Sequence, residues 1–372
     1  MVVYIGIWLI LLLISFVDVL KPEQKLRNSL ITFLFILLLT FVGTRQDTGP
    51  DIEVYQTYYS QSPLLWEAIT NYTSYVYIPV EPLYLFINAA CKSLGMTFNG
   101  FLLLFSSMFI LPAFVITRKY SLMPLFSIMV YYYYGYFSGF SAIRQVMAAA
   151  VFFYSIRFII DRKPLKYVGC ILLAACFHIS GFILMPLYFL ANRNYKAANI
   201  LIMVLVAIAL RQFGLFNLLS AQVANVLSFS PITILLYNKF VLYAAANGSF
   251  WGSVSVEWLG IIFLVLFNRS ALERKTPHFN IFFNIFFIGI IMYAFFGAFG
   301  DFGRIIIYFK LTYIVIIPAL LTLFDDYRMK FIVIFLFSLI VLMRVYISVL
   351  SDDEFEGVLR NRYLPYKSWL FN

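Results

Sequence analysis

An all-α polytopic membrane protein is the fold class this sequence predicts, and three observations predict it. Of 372 residues, 63% are hydrophobic, against roughly half in a soluble domain. Only 12% are charged, and the mean hydropathy is +0.90. A span needs about 20 apolar residues, so the chain has room for about ten transmembrane helices. A soluble enzyme, a disordered chain and a disulfide scaffold are excluded.

The elements follow in order. Clear apolar runs occupy 2–20, 28–44, 99–117, 122–137, 141–160, 199–214, 254–267, 279–297, 303–323 and 331–350. The first has no basic residues before it, and no small-residue cleavage site separates it from Lys21-Pro22-Glu23. It therefore reads as a retained span and not a signal peptide. Basic residues cluster in short loops: Lys21, Lys25 and Arg27; Arg118 and Lys119; Arg162, Lys163 and Lys166; Arg193 and Lys196; Arg269, Arg274 and Lys275; Arg328 and Lys330. If all are cytoplasmic, as the positive-inside rule expects, segment 167–190 enters and leaves on one side. It then forms a re-entrant helical hairpin broken near His178-Ile179-Ser180-Gly181. Segment 81–96 likewise dips in from the outer face without crossing. Both termini then lie outside, and the whole chain is a single integral membrane domain. The competing topology makes 167–190 a full span.

Three outer-face segments, 45–80, 215–253 and 351–372, exceed connector length and are rich in Tyr, Trp, Asn, Gln and Ser. No internal repeat is visible, which argues against a transporter. The two histidines, His178 and His278, and three cysteines, Cys91, Cys170 and Cys176, show no metal-ligand spacing. No metal and no cofactor are expected. The net charge of +10 comes from residues scattered between hydrophobic runs, which reports orientation and not nucleic-acid binding.

Ionisable groups near hydrocarbon are costly, so those that persist there invite a functional hypothesis. Arg45 opens the run through Asp47, Gly49 and Asp51, with Tyr55, Tyr58 and Tyr59 following. Glu81-Pro82-Leu83-Tyr84 starts the dipping segment, Arg144-Gln145 starts the fifth span, and Asp301 and Arg304 open the ninth. Tyr366-Lys367 lies in the outer tail. Arginines bind phosphate through planar, two-pronged hydrogen bonds and keep their charge when partly desolvated. Arginines beside carboxylates at a membrane surface suit a lipid-linked diphosphate whose sugar is being transferred. Tyrosines can stack on the sugars, a carboxylate can take the proton of the attacking hydroxyl, and arginines can stabilise the leaving diphosphate. Each residue also has a structural reading. Asp301 and Arg304 could form a helix pair, while Arg45, Arg144 and Arg344 could be snorkelling anchors. His178 could be a neutral packing residue, although a break between half-helices is tolerated only around a cavity or within protein.

At these residues the sequence resembles the EpsG-type members of the Wzy-like polysaccharide polymerases. The resemblance rests on Gly43-Thr44-Arg45 with Asp47, Gly49, Asp51 and Tyr55; Glu81-Pro82-Leu83-Tyr84; Arg144-Gln145 with Ala148 to Ala150; Phe177-His178-Ile179-Ser180 leading into Pro186-Leu187-Tyr188; Arg304; and Tyr363 to Lys367. It implies a glycosyltransferase of the bacterial cytoplasmic membrane whose active site faces outward. Such an enzyme joins undecaprenyl-diphosphate-linked oligosaccharide repeat units into O-antigen, capsule or exopolysaccharide. The bilayer is an implied partner, as are a chain-length regulator and a flippase of the same pathway. Carried onto this chain, Arg45, Arg144 and Arg304 become diphosphate ligands, and Asp51, Glu81 or His178 the base. Asp47, Tyr55, Tyr84, Gln145, Asp301, Tyr366 and Lys367 become substrate-binding candidates. The rivals are a flippase, an O-antigen ligase and a membrane acyltransferase.

Overall fold

The computed structural model describes residues 1–71, 80–213, 253–296, 305–355 and 358–371. Nearly all of the expected outer segment 215–253, and the candidates Asp301 and Arg304, lie outside the described residues. The chain is a helical membrane protein. Among the described residues, 6 helical stretches are long and apolar enough to cross a membrane: Val2–Leu20, Gln24–Gly43, Phe98–Tyr120, Ile143–Ile160, Ser255–Lys275 and Tyr327–Leu350. Shorter apolar helices of 10–17 residues run over Pro164–Phe177, Ile179–Leu190, Ala197–Gln212, Phe279–Phe295 and Ile306–Leu321. The apolar run 122–137 does not form one regular helix. It is divided into α-helix, a π-helical turn at Tyr132–Tyr136 and a 3-10 turn at Phe137–Phe140.

The chain forms two compact units, Met1–Tyr188 with Tyr313–Asn372, and Phe189–Thr312. In the first, α1 (Val2–Val17) and α2 (Gln24–Gly43) lead into a strand, β1 (Arg45–Gln46), and the helices α3 (Ile52–Gln61), α4 (Leu65–Thr70) and α5 (Pro82–Ser93). Then come α6 (Phe98–Tyr120), α7 (Pro124–Tyr131), α8 (Ile143–Ile160) and α9 (Pro164–Phe177). Prolines occupy the first turns of α5, α7 and α9, where the missing amide hydrogen costs no helical bond. The start of α7 is fixed by Asp18, whose Oδ2 accepts from Leu125 N at 2.7 Å and Phe126 N at 3.0 Å. A carboxylate at a helix N-terminus satisfies two otherwise orphaned amides and meets the positive end of the dipole. Asp18 also lies 3.9 Å from Arg27, which ties the α1–α2 connection to α7.

At its 12 residues, α5 is about 18 Å long at the usual helical rise, too short to span a membrane. The chain after α9 folds back on it. Tyr167, near the start of α9, donates to Leu184 O at 2.6 Å and packs its ring 5.6 Å from Tyr188. Gly181 makes the fold-back possible, because a Cβ there would stand 2.9 Å from Ala175 N.

A single turn, α10 (Leu187–Leu190), carries the chain from the first unit into the second, and later helices complete the first. The second unit holds α11 (Ala197–Gln212), α12 (Ser253–Lys275), α13 (Phe279–Phe296) and α14 (Ile306–Lys310). Within it, Arg269 donates to Tyr195 O and pairs with Glu273, and Asn284 Nδ2 donates to Ala191 O and Arg193 O. Back in the first unit, α15 (Tyr313–Leu321) and α16 (Tyr327–Leu350) precede the tail strands β2 (Asp352–Phe355), β3 (Val358–Asn361) and β4 (Lys367–Ser368). β2 pairs with β3, and β4 returns to pair antiparallel with β1 in the register Arg45↔Ser368. These small ribbons were not expected from the sequence, since two or four residues carry no readable alternation.

The tail is held at one end of the bundle by hydroxyl-to-carbonyl bonds. Tyr4 donates to Tyr363 O at 2.9 Å, and Tyr366 donates to Phe41 O at 2.6 Å. The rings of Tyr4, Phe41, Phe137, Phe140 and Tyr363 interlock around it at centroid spacings of 5.3–6.4 Å.

Candidate active site

Glu81 and Arg144 meet across 63 residues of sequence: Arg144 Nη1 donates to Glu81 Oε2 at 2.5 Å. Each sits at the start of a helix, Glu81 in extended backbone just before Pro82 and Arg144 in the first turn of α8. Their side chains are 16% and 21% exposed, so the pair is shielded yet reachable. The second carboxylate oxygen, Oε1, accepts from Ile179 N at 3.2 Å. One carboxylate thus joins α5, α8 and the break after α9.

That break has a local cause. His178 adopts φ −157°, ψ 121°, which ends the α9 ladder at its own amide bond to Ala174 O. Its Nδ1 lies 2.6 Å from Ser180 Oγ and accepts from Ser180 N at 3.4 Å. An accepting Nδ1 assigns the proton of a neutral ring to Nε2. The imidazole therefore replaces a lost backbone partner and leaves the Ile179 amide turned toward Glu81.

Aromatic side chains of α3 and α5 wall the pair. The Arg144 guanidinium lies 5.9 Å from the ring centroids of both Tyr58 and Tyr84, within cation–π range. Tyr55 is buried beside Tyr58, their ring centroids 6.3 Å apart. Burial pushes the Tyr55 phenol up to about 12, Asp51 adds to the rise, and Arg144 opposes it. Tyr55 consequently stays a neutral donor or acceptor at physiological pH. Tyr84 is wholly buried, its ring 6.0 Å from that of Tyr55. Gln145, next to Arg144, is buried in α8.

Arg45 belongs to a different group. It is 0% exposed, and its donors meet backbone carbonyls: Nη1 on Val42 O at 2.5 Å, Nε on Thr48 O at 3.1 Å and Nη2 on Gly139 O at 3.0 Å. Phe140 covers the guanidinium at 5.1 Å. Burial lowers its pKa to about 10, against opposing effects of Tyr136 and Tyr366, which still leaves it charged at neutral pH. Val42 O is one of the carbonyls that a helix end leaves without an intrahelical partner. Arg45 thereby caps α2, closes the following turn and bolts both to the 137–140 turn. Gly49 completes this junction with φ 117°, and a Cβ there would lie 2.1 Å from Phe140 O.

Lys367 lies with Arg45 in the β1–β4 ribbon and Tyr366 directly precedes it; Tyr366 is spent on Phe41 O, and Lys367 is exposed. Burial raises the Tyr366 phenol, with Thr44 and Arg45 opposing. Asp47 is exposed in left-handed backbone and accepts from Gln56 Nε2 at 3.2 Å. Asp51 is the residue before α3. The structure therefore brings Glu81, Arg144, Tyr55, Tyr84 and the His178 break together, and collects Arg45, Tyr366 and Lys367 separately. Sequence reasoning missed the pair between Arg362 and Glu53, at 3.3 Å. The signal available was an arginine directly before the Tyr363–Lys367 motif. Among the described residues, no three His, Cys, Asp or Glu side chains gather as metal ligands would.

A family model described as the EpsG family matches residues 28–368. The chain belongs to the EpsG family. That family comprises Wzy-like polysaccharide polymerases, so a general role in polysaccharide polymerisation comes with membership. The match runs from α2 through the β4 strand and covers both residue groups described above. No curated protein and no solved structure matches the chain.

Proposed function

We propose that this EpsG-family protein joins lipid-linked oligosaccharide repeat units by glycosyl transfer at the outer face of the bacterial cytoplasmic membrane, with undecaprenyl diphosphate as the carrier. The observation that carries the reading is the Glu81–Arg144 pair held against the helix break at His178. A hydroxyl oxygen of one repeat unit attacks the anomeric carbon of the growing glycan, and the bond from that carbon to the diphosphate oxygen breaks. The hydroxyl proton passes to Glu81, and the diphosphate departs with the bonding electrons. Arg144 balances its charge: a guanidinium offers five donors in a fixed fork, and Glu81 takes Nη1. Preorganised donors at developing charge are the largest single source of rate in such steps. Tyr58, partly open, supplies a ring face for the substrate, and the wholly buried Tyr84 backs the arginine from behind.

The other candidates take supporting roles. His178 fixes the backbone break through Ser180, so that the Ile179 amide orients Glu81. Asp51 and Tyr55 place α3, and Arg45 fixes the junction beneath it. Arg304 and Asp301 remain candidate contributors to diphosphate binding. The proposed chemistry requires no metal and no cofactor.

The test is a strain deleted for the gene, with its surface glycan resolved by size and the gene restored as wild type or Arg144→Ala. Single repeat units in the deletion strain, chains with the wild-type copy and single units again with a normally inserted Arg144→Ala protein are expected. Loss of all surface glycan, with lipid-linked units retained inside, would instead identify a flippase. Long chains from Arg144→Ala would remove the diphosphate role.

A further inference from the structure

Arg362 lies where the C-terminal segment crosses the turn before α3. Its carbonyl accepts from Gly49 N at 2.7 Å, and its Nη1 stands 3.3 Å from Glu53 Oε2 in the first turn of α3. The arginine side chain is 6% exposed and the glutamate 44%, so the arginine is the fixed partner. Its neighbours explain why. Asn361 donates to Val349 O at 2.7 Å and accepts from the amides of Tyr363 and Leu364, while Tyr363 O takes the Tyr4 hydroxyl. Arg362 is thus pinned to α16 on one side and α1 on the other.

The helix it grips is 10 residues long and carries Tyr58, whose ring centroid lies 5.9 Å from the Arg144 guanidinium, and Tyr55, whose buried phenol lies within the field of the same charge. A pair this open to solvent on one side adds little to stability. The Arg362 carbonyl bond to Gly49 does not depend on the side chain. Resting on the reading of Arg144 as the diphosphate ligand, we infer that Arg362 is a positioning residue: through Glu53 it sets α3 so that Tyr55 and Tyr58 hold Arg144 in register with Glu81.

The experiment uses the full-length protein in nanodiscs, with the lipid-linked repeat unit extracted from the deletion strain as substrate. Arg362→Ala is expected to lower kcat roughly tenfold, as a small misplacement of a catalytic group does, with KM within about twofold. Arg362→Lys is expected to retain most of the rate, and Glu53→Gln to lose in the same direction as Arg362→Ala. The double variant Arg362→Ala/Glu53→Gln is expected to be no worse than Arg362→Ala alone, because the two act through one contact. Nitroxides on Thr57→Cys and Leu370→Cys, in a background lacking the native cysteines, are expected to show a broadened distance in Arg362→Ala. An unchanged kcat in Glu53→Gln, additive losses, or an unchanged distance would each overturn the inference; Glu53→Gln decides it even if Arg362→Ala does not fold. Failure of the active-site reading is separable: Arg144→Ala would then polymerise normally, whatever the nitroxide distances show.

Discussion

Arg45 and Arg144 are the same residue type in the same unit, each near a helix end, and the structure treats them in opposite ways. Arg45 is sealed from solvent with its donors on the carbonyls of Val42, Thr48 and Gly139. Arg144 faces a carboxylate, two tyrosine rings and a partly open approach. Backbone carbonyls compensate a guanidinium without needing a second ionisable group, so the Arg45 junction is a closed piece of architecture. A carboxylate beside a reachable guanidinium provides two groups of opposite charge that can exchange partners with an anionic substrate. Exposure and partner type, and not charge alone, distinguish a structural arginine from one available to chemistry.

The sharpest way to break this comparison is to remove each arginine in turn. Arg45→Ala strands three buried carbonyl acceptors, at about 1 kcal/mol or more apiece, so a loss of about 3 kcal/mol is expected. Thermal unfolding of the purified protein and its accumulation in membranes both report it. Arg45→Lys recovers little, because an ammonium cannot reproduce the planar fork. Arg144→Ala is expected to accumulate and unfold normally while losing about 100-fold or more in kcat, the usual cost of one preorganised donor at developing charge.

Gly49→Ala probes the junction from the backbone side. The new Cβ would collide with Phe140 O at 2.1 Å in a backbone of φ 117°. An expected destabilisation of about 1–3 kcal/mol should appear in the same unfolding measurement. Tyr55→Phe has the mildest effect. It removes one buried hydroxyl within the field of Arg144, worth about 1 kcal/mol or roughly fivefold in rate, with stability nearly unchanged.

Much of the architecture was readable from sequence because membrane spans announce themselves by length and hydropathy. The runs 2–20, 28–44 and 141–160 differ from the observed helices by a few residues at their ends. The fold-back after α9 was also legible, since His178-Ile179-Ser180-Gly181 interrupts an apolar run with groups that bond locally, and Gly181 alone fits against Ala175. Within the run 122–137 the local geometry was not legible: five consecutive aromatic and glycine positions, Tyr132–Tyr136, open into a π-helical turn that hydropathy does not register. At the site, Glu81 and Arg144 were both singled out by cost of burial, yet their pairing was not visible: nothing local encodes a contact across 63 residues. Arg45 was read beside Arg144 for the same reason. Its carbonyl from Gly139, 94 residues away, comes only with the fold. Arg362 and Glu53, 309 residues apart, lay beyond sequence reasoning for that reason as well.

The most direct measurement on the central claim is single-turnover glycosyl transfer by Glu81→Gln in nanodiscs, beside binding of the lipid-linked repeat unit. Glutamine keeps the shape and an acceptor for the Ile179 amide, but it cannot take a proton from the attacking hydroxyl. Binding within a few-fold of wild type, with transfer reduced at least about 100-fold, is the predicted result. A Glu81→Gln protein that joins repeat units at the wild-type rate would contradict the account.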